Sequence, residues 1–141
     1  MGDTPLHHLA THWTRNPENA RACLQFLVRE SGANLNLLNK DGLSPLHIAV
    51  KKQNVDACEA LLELKSNVDL PTKTTKETPL QLACQNNCYE IIELFCRHGC
   101  DQFARQKTNK TAYNLVNNDL LMVKLLKKRE KFFLREQFSG K

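Results

Sequence analysis

The chain has 141 residues, 41% of them hydrophobic and 25% charged, with six cysteines and a formal net charge of +5. That length fits one domain, and no apolar run reaches the roughly 18 to 20 residues that span a bilayer. The opening MGDTPLHH lacks the basic and apolar regions of a secretory signal, and the cysteines are too sparse for a small disulfide framework, so a soluble cytoplasmic or nuclear protein with reduced thiols is expected.

In chain order, the phrase TPLHHLA at Thr4–Ala10 returns as SPLHIAV at Ser44–Val50, as TPLQLAC at Thr78–Cys84 and, more weakly, as TAYNLVN at Thr111–Asn117. Each of the first three opens on Thr or Ser before Pro. A hydroxyl there caps a helix by accepting a backbone N–H, and Pro at the first helical position loses a donor that would be unpaired anyway. A short helix is therefore predicted at each copy, carrying Leu46, Ile48 and Ala49 in the second and Leu80, Leu82 and Ala83 in the third. A second helix follows each: Ala57, Cys58, Ala60, Leu61 and Leu62 form one inner stripe, and Ile91, Ile92, Leu94 and Phe95 the other. Arg97 and His98 before Gly99 mark where the third pair ends.

Helices of two or three turns are marginal alone, so these pairs must complete one another's interior by stacking. Recurrence at this spacing is the sequence signature of a solenoid, and each unit supplies one wall of the next unit's core.

Thr4-Pro5-Leu6-His7, Ser44-Pro45-Leu46-His47 and Thr78-Pro79-Leu80-Gln81 resemble the helix-opening motif of the ankyrin repeat. Gly32-Ala33-Asn34-Leu35-Asn36 and Gly99-Cys100-Asp101 are similar to that family's loop after the second helix, and Asn39-Lys40-Asp41-Gly42 resembles its hairpin tip. The resemblance implies an all-α solenoid of helix-turn-helix units with hairpin-like loops. Repeats are expected near 3–38, 39–72, 73–106 and 107–126 of a domain spanning 1–126, with a basic helical extension over 127–141. The first repeat carries seven extra residues, mostly in THWTRNPENAR, and a projecting inter-helix loop with an exposed Trp13 and Pro17 is expected there. The fourth lacks the proline, as suits a terminal cap.

The family's histidine position falls on His7 and His47, which the resemblance implies bond the helix start and the neighbouring loop; Gln81 and Asn114 replace them later. No nucleophile and base recur at catalytic spacing, and no phosphate loop is present, so neither catalysis nor a cofactor is expected. Cys84, Cys88, Cys96, Cys100 and His98 suggest zinc by spacing alone, but their repeat positions do not converge on one tetrahedral centre, so no metal is expected.

A non-catalytic protein-binding module is the reading the resemblance implies, with the partner held by the concave face and hairpin tips. Carried over residue by residue, the contact positions are Lys40, Asp41, Leu43, Lys51 and Lys52, then Thr74, Thr75, Glu77, Gln85 and Asn86, then Lys107, Thr108 and Lys110. Trp13 joins them from the inserted loop. The lysines favour an acidic protein or peptide, and the module is expected to be monomeric, whether alone or within a longer chain. Residues 1–120 hold 13 Lys or Arg against 13 Asp or Glu, while 121–141 hold seven against two. That balanced body makes nucleic acid an improbable partner. Two alternatives stay open. The basic amphipathic tail LLMVKLLKKREKFFLREQF could serve a calmodulin-type or anionic-surface role, and the GDTPLH opening with its enlarged first repeat is also similar to inhibitors of Rel-type transcription factors.

Overall fold

The structure, a computed structural model, describes residues 3–13, 16–116 and 119–127. Seven helices run Pro5–Thr11 (α1), Pro17–Arg29 (α2), Pro45–Lys51 (α3), Val55–Glu63 (α4), Pro79–Gln85 (α5), Tyr89–Arg97 (α6) and Ala112–Leu115 (α7). An eighth, α8, covers 120–127, and no strand occurs among the described residues.

The first helix of every pair starts by one mechanism. Thr4, Ser44 and Thr78 hold extended backbone, and their hydroxyls accept from the amides of His7, His47 and Gln81. Those three side chains bond back to the cap amides, at 3.1, 3.1 and 2.9 Å, and Asn114 does the same for Thr111 at 2.9 Å. Two otherwise orphaned donors are thus satisfied at each helix start. Caps of this kind contribute about 1 kcal/mol each.

α1, α3, α5 and α7 pack side by side as one row, and α2, α4 and α6 as a second. The interior shared by the helices includes Ala49, Val50, Ala57, Cys58, Ala83, Cys84, Ile91, Ile92 and Phe95, all without solvent exposure. Burial pushes the thiols of Cys58 and Cys84 up to about 12, so they act as small apolar fillers. The loops beyond the second helices are linked as well. Asn36 accepts from the Asn67 amide at 2.9 Å and Asp69 from the Asp101 amide at 2.7 Å. At the next equivalent position Phe103 replaces the acceptor and its ring stacks on Tyr113, with centroids 5.9 Å apart.

The expectation for the inserted segment is corrected. α2 has 13 residues where α4 and α6 have nine, so most of the insertion lengthens a helix, and Pro17 is its first residue. Trp13 is only 2% exposed, with its indole N–H donating to Asp56 at 2.7 Å. Arg21 binds the same carboxylate at 2.5 Å and reaches Glu63 at 3.2 Å. Its guanidinium, ahead of the Trp13 bond, holds the Asp56 carboxyl below its usual range. Trp13 ahead of α2 and Arg21 within it thus tie this repeat to Asp56 of α4, and the aromatic ring with its polar handle is buried there.

At the other end, the inward line of α8 is Met122 and Leu126, both fully buried, while Leu121 is exposed and Leu125 half-buried. The helix thus turns Met122 and Leu126 inward and leaves Leu121 to solvent. The reason is the anchor at the helix start, where Asp119 accepts from the amides of Leu121 and Met122 and Tyr89 donates its hydroxyl to the same carboxylate. The tail proper, residues 128–141, lies outside the described residues.

The chain turns out of the second helices through left-handed residues: Gly32 (φ 64°), Lys65 (φ 71°) and Gly99 (φ 77°). Only the middle one carries a Cβ, at a cost of about 1 kcal/mol. Replacing Lys65→Gly is expected to raise the urea midpoint, a gain of roughly 0.5–1 kcal/mol. Trp13→Ala, which empties a filled site, is expected to lower stability by about 3–5 kcal/mol in the same titration followed by far-ultraviolet circular dichroism.

Candidate protein-binding face

Three fingers project between the helix pairs. In the first, the Asn39 amide donates to the Leu43 carbonyl and that of Gly42 to Asn39, both at 2.9 Å, while the Asn39 side chain accepts from the amides of Asp41 and Leu43. In the second, Thr72 donates to the Glu77 carbonyl at 2.9 Å, and in the third Gln106 donates to Lys110 at 3.0 Å. The middle finger is one residue longer between its bonded ends. Each tip turns through a left-handed residue: Gly42, Lys76 or Asn109.

The fingers are joined to one another. The Lys73 amide donates to the Gly42 carbonyl at 3.1 Å, and the Lys107 amide to the Thr75 carbonyl at 2.8 Å. A Cβ placed on Gly42 would sit 2.6 Å from that of Lys73, so this position needs glycine for space as well as for its positive φ.

They are also joined to the helix row. His7 Nε2 lies 2.8 Å from the Leu43 carbonyl and His47 Nε2 lies 3.3 Å from the Glu77 carbonyl. Gln81 Nε2 donates to the Lys110 carbonyl of the third finger at 3.4 Å and to the Ala104 carbonyl just ahead of it at 2.7 Å. Since each Nδ1 accepts from a cap amide, the ring proton belongs on Nε2. One side chain therefore starts its own helix and holds the next finger. Burial is the main cause that lowers His47 to about 4, against the Glu77 carbonyl, which favours the charged ring.

Most of the contact positions anticipated from the sequence meet on this face. Lys40, Asp41, Thr74, Thr75, Lys107, Thr108 and Lys110 are exposed on the fingers, with Lys51, Lys52 and Gln85 exposed at the ends of α3 and α5. Leu43, Glu77 and Asn86 are half-buried, and Gln85 donates to the Glu77 carboxylate at 3.2 Å. Trp13 does not belong to the face, because its ring is buried beside α4. Three further exposed finger residues, Lys73, Lys76 and Asn109, were not recognised in the sequence. Lys76 fills the left-handed site that glycine or asparagine fills in the other fingers. The TKTTKE segment offered the signal, as two lysines flank the same turn.

The neutral body conceals a separation of charge. The fingers carry Lys40, Lys73, Lys76, Lys107 and Lys110 against Asp41 and Glu77, and Lys51 and Lys52 adjoin them. The second helices carry Glu18, Asp56, Glu59, Glu63, Glu90 and Glu93 against Arg21, Arg29 and Arg97. Positive potential is therefore concentrated on the finger side. Among the described residues, no three His, Cys, Asp or Glu side chains are placed to hold a metal ion, and no helix is long and apolar enough to cross a membrane.

Comparison with known proteins places this geometry. The family model for ankyrin repeats, in three copies, matches residues 8–106, and the chain belongs to the ankyrin repeat family. It is 31% identical over 98 residues to the ankyrin repeat protein nuc-2 of Neurospora crassa, covering 70% of this chain and 8% of that protein. It is 29% identical over 114 residues to the B-cell lymphoma 3 protein homolog of Mus musculus, covering 79% of this chain and 24% of the relative. The solved ankyrin repeat domain of Bcl-3 superposes with a TM-score of 0.77 at 23% identity, over 89% of this chain and 52% of that one. The chain thus spans less than a quarter of the length of these curated relatives. Ankyrin repeats are protein–protein interaction modules, and the repeat fold itself is non-catalytic.

The buried histidine gives a pH dependence with a definite sign. Unfolded, His47 takes up its proton near pH 6.5, whereas folded it resists down to about 4, so its contribution is complete above about 6.5 and is lost as pH falls toward 4. Urea unfolding between pH 7 and 4 is expected to show a loss of at most about 3 kcal/mol from this group. His47→Gln, which installs the side chain already used at Gln81, is expected to flatten that part of the profile.

Proposed function

We propose that the chain is a non-catalytic, monomeric module that binds an acidic segment of a partner protein along its three fingers and the adjoining ends of α3 and α5. The observation that carries this reading is the row of lysines held on fingers bonded in register, where five lysines face two carboxylates while the second helices carry six carboxylates against three arginines. Because those fingers are tied to one another and to His7, His47 and Gln81, docking orders little of the scaffold and keeps the associated entropy cost small. Lys51, Lys52 and Lys107 set the steering field, and Gln85, Asn86, Thr74 and Thr108 supply hydrogen bonds between the charged positions. Lys40, Lys73, Lys76 and Lys110 extend the same field.

A second reading draws on the likeness to the B-cell lymphoma 3 homolog and to Bcl-3, whose solved domain is described as a member of the IkappaB protein family. In it, the same face serves an IkappaB-like role toward a Rel-type transcription factor.

Selection from a displayed random peptide library is the direct test. Enriched peptides are expected to be rich in Asp and Glu, and Lys51, Lys52 and Lys107 changed together to Ala are expected to weaken them by roughly tenfold or more, with a shallower salt dependence. Unchanged affinity in that triple variant, measured by fluorescence anisotropy at 0.05 and 0.2 M salt, would remove the finger assignment. Binding to a purified Rel dimer at the same face would favour the second reading.

A further inference from the structure

The second helices of the three repeats can be aligned by a shared bond. The loop amide that follows each helix donates to the carbonyl of Leu27, Leu61 or Phe95, at 2.9, 3.1 and 3.2 Å. Counting back from these, Cys23 matches Ala57 and Ile91, and Phe26 matches Ala60 and Leu94. Ala57 and Ile91 are 0% exposed, and Ala60 and Leu94 are 3% exposed, within the row in which α2 covers α4 and α4 covers α6. Phe26 is 61% exposed and Cys23 is exposed, although both are apolar.

A solenoid end that faces water carries polar residues at such positions. α2 does not. Ala22, Cys23, Phe26 and Leu27 instead line one shallow apolar depression on its open side. The first-helix row differs: His8 is exposed where the equivalent Ile48 and Leu82 are 9% and 5% exposed, so that row ends on a polar side chain. The stacking surface of the second helices thus continues past α2, while that of the first helices stops at α1.

We propose that the open side of α2 is a docking surface for a single amphipathic helix of a partner protein, laid along α2 as α2 itself lies along α4. The geometry asks for a helix with one apolar face, because its contacts fall on Phe26 and Cys23 and its far side meets water. A whole repeat would bury His8 against its own first helix, at the cost of desolvating a polar ring. The surface is separate from the fingers, so an occupant here leaves the lysine row open.

Cys23 supplies the readout, since it is exposed while Cys58, Cys84, Cys96 and Cys100 are buried and Cys88 is half-buried. The full chain is compared with two fusions through a Gly-Ser linker at its N-terminus: one carrying residues 86–98 as a lone apolar-faced helix, the other carrying residues 39–72 as a complete repeat. Maleimide labelling of Cys23, resolved by mass spectrometry, is expected to be fast in the unmodified chain and slowed roughly tenfold or more by the lone helix. Phe26→Asp should restore fast labelling in that fusion while leaving the melting temperature of the unmodified chain unchanged. Protection by the complete repeat alone would overturn the single-helix occupant. Protection in neither fusion would show the patch to be ordinary solvated surface. Slow labelling in the unmodified chain, with a dimeric mass in light scattering, would identify a second copy as the occupant and equally overturn the proposal.

Discussion

The structure depends on one side chain per repeat that bonds in two directions. His7, His47 and Gln81 each close a capping box at the start of their own helix and then bond a carbonyl in the next finger. Neither half suffices alone. A cap without the forward bond would leave each finger without its tie to the helix row, and the forward bond without the cap would leave the short helix with unpaired amides. Because these side chains are almost wholly buried, their polar atoms have no water to fall back on, and a lost partner costs more than a surface hydrogen bond would.

From that arrangement the remaining features follow in order. Helices fixed at their first turn present Ala49, Ala83 and Ala57 to their neighbours, and small residues let the rows approach closely. The pairs then share one interior. Fingers held from beneath by a histidine or glutamine and sideways by the amides of Lys73 and Lys107 become a fixed platform. Charge sorts onto it because finger positions contribute little to the core and are free to carry lysine, whereas the second helices carry six carboxylates against three arginines.

Much of this was legible in the residues themselves. Thr or Ser before Pro located α1, α3 and α5, and the apolar stripes located α4 and α6, because capping and periodicity are local properties of the chain. Most of the finger positions also emerged on one face. Trp13 did not, since an aromatic residue in a polar insertion reads as exposed until its partner is known, and Asp56 lies 43 residues further along. The orientation of α8 was hidden for a similar reason: Tyr89, 30 residues before Asp119, helps fix the helix start. Charge separation escaped the totals because equal numbers of opposite charges say nothing of their placement. Lys76 escaped because residues at left-handed turns are usually chosen for conformation, and here one also contributes charge.

The double role of these side chains is most directly tested by nitrogen-15 NMR of the histidine rings at neutral pH. The account predicts that His7 and His47 each occupy the tautomer with its proton on Nε2, and that this proton exchanges slowly with water because it is held by the next finger. Rings that average between the two tautomers, or that carry the proton on Nδ1, would contradict it.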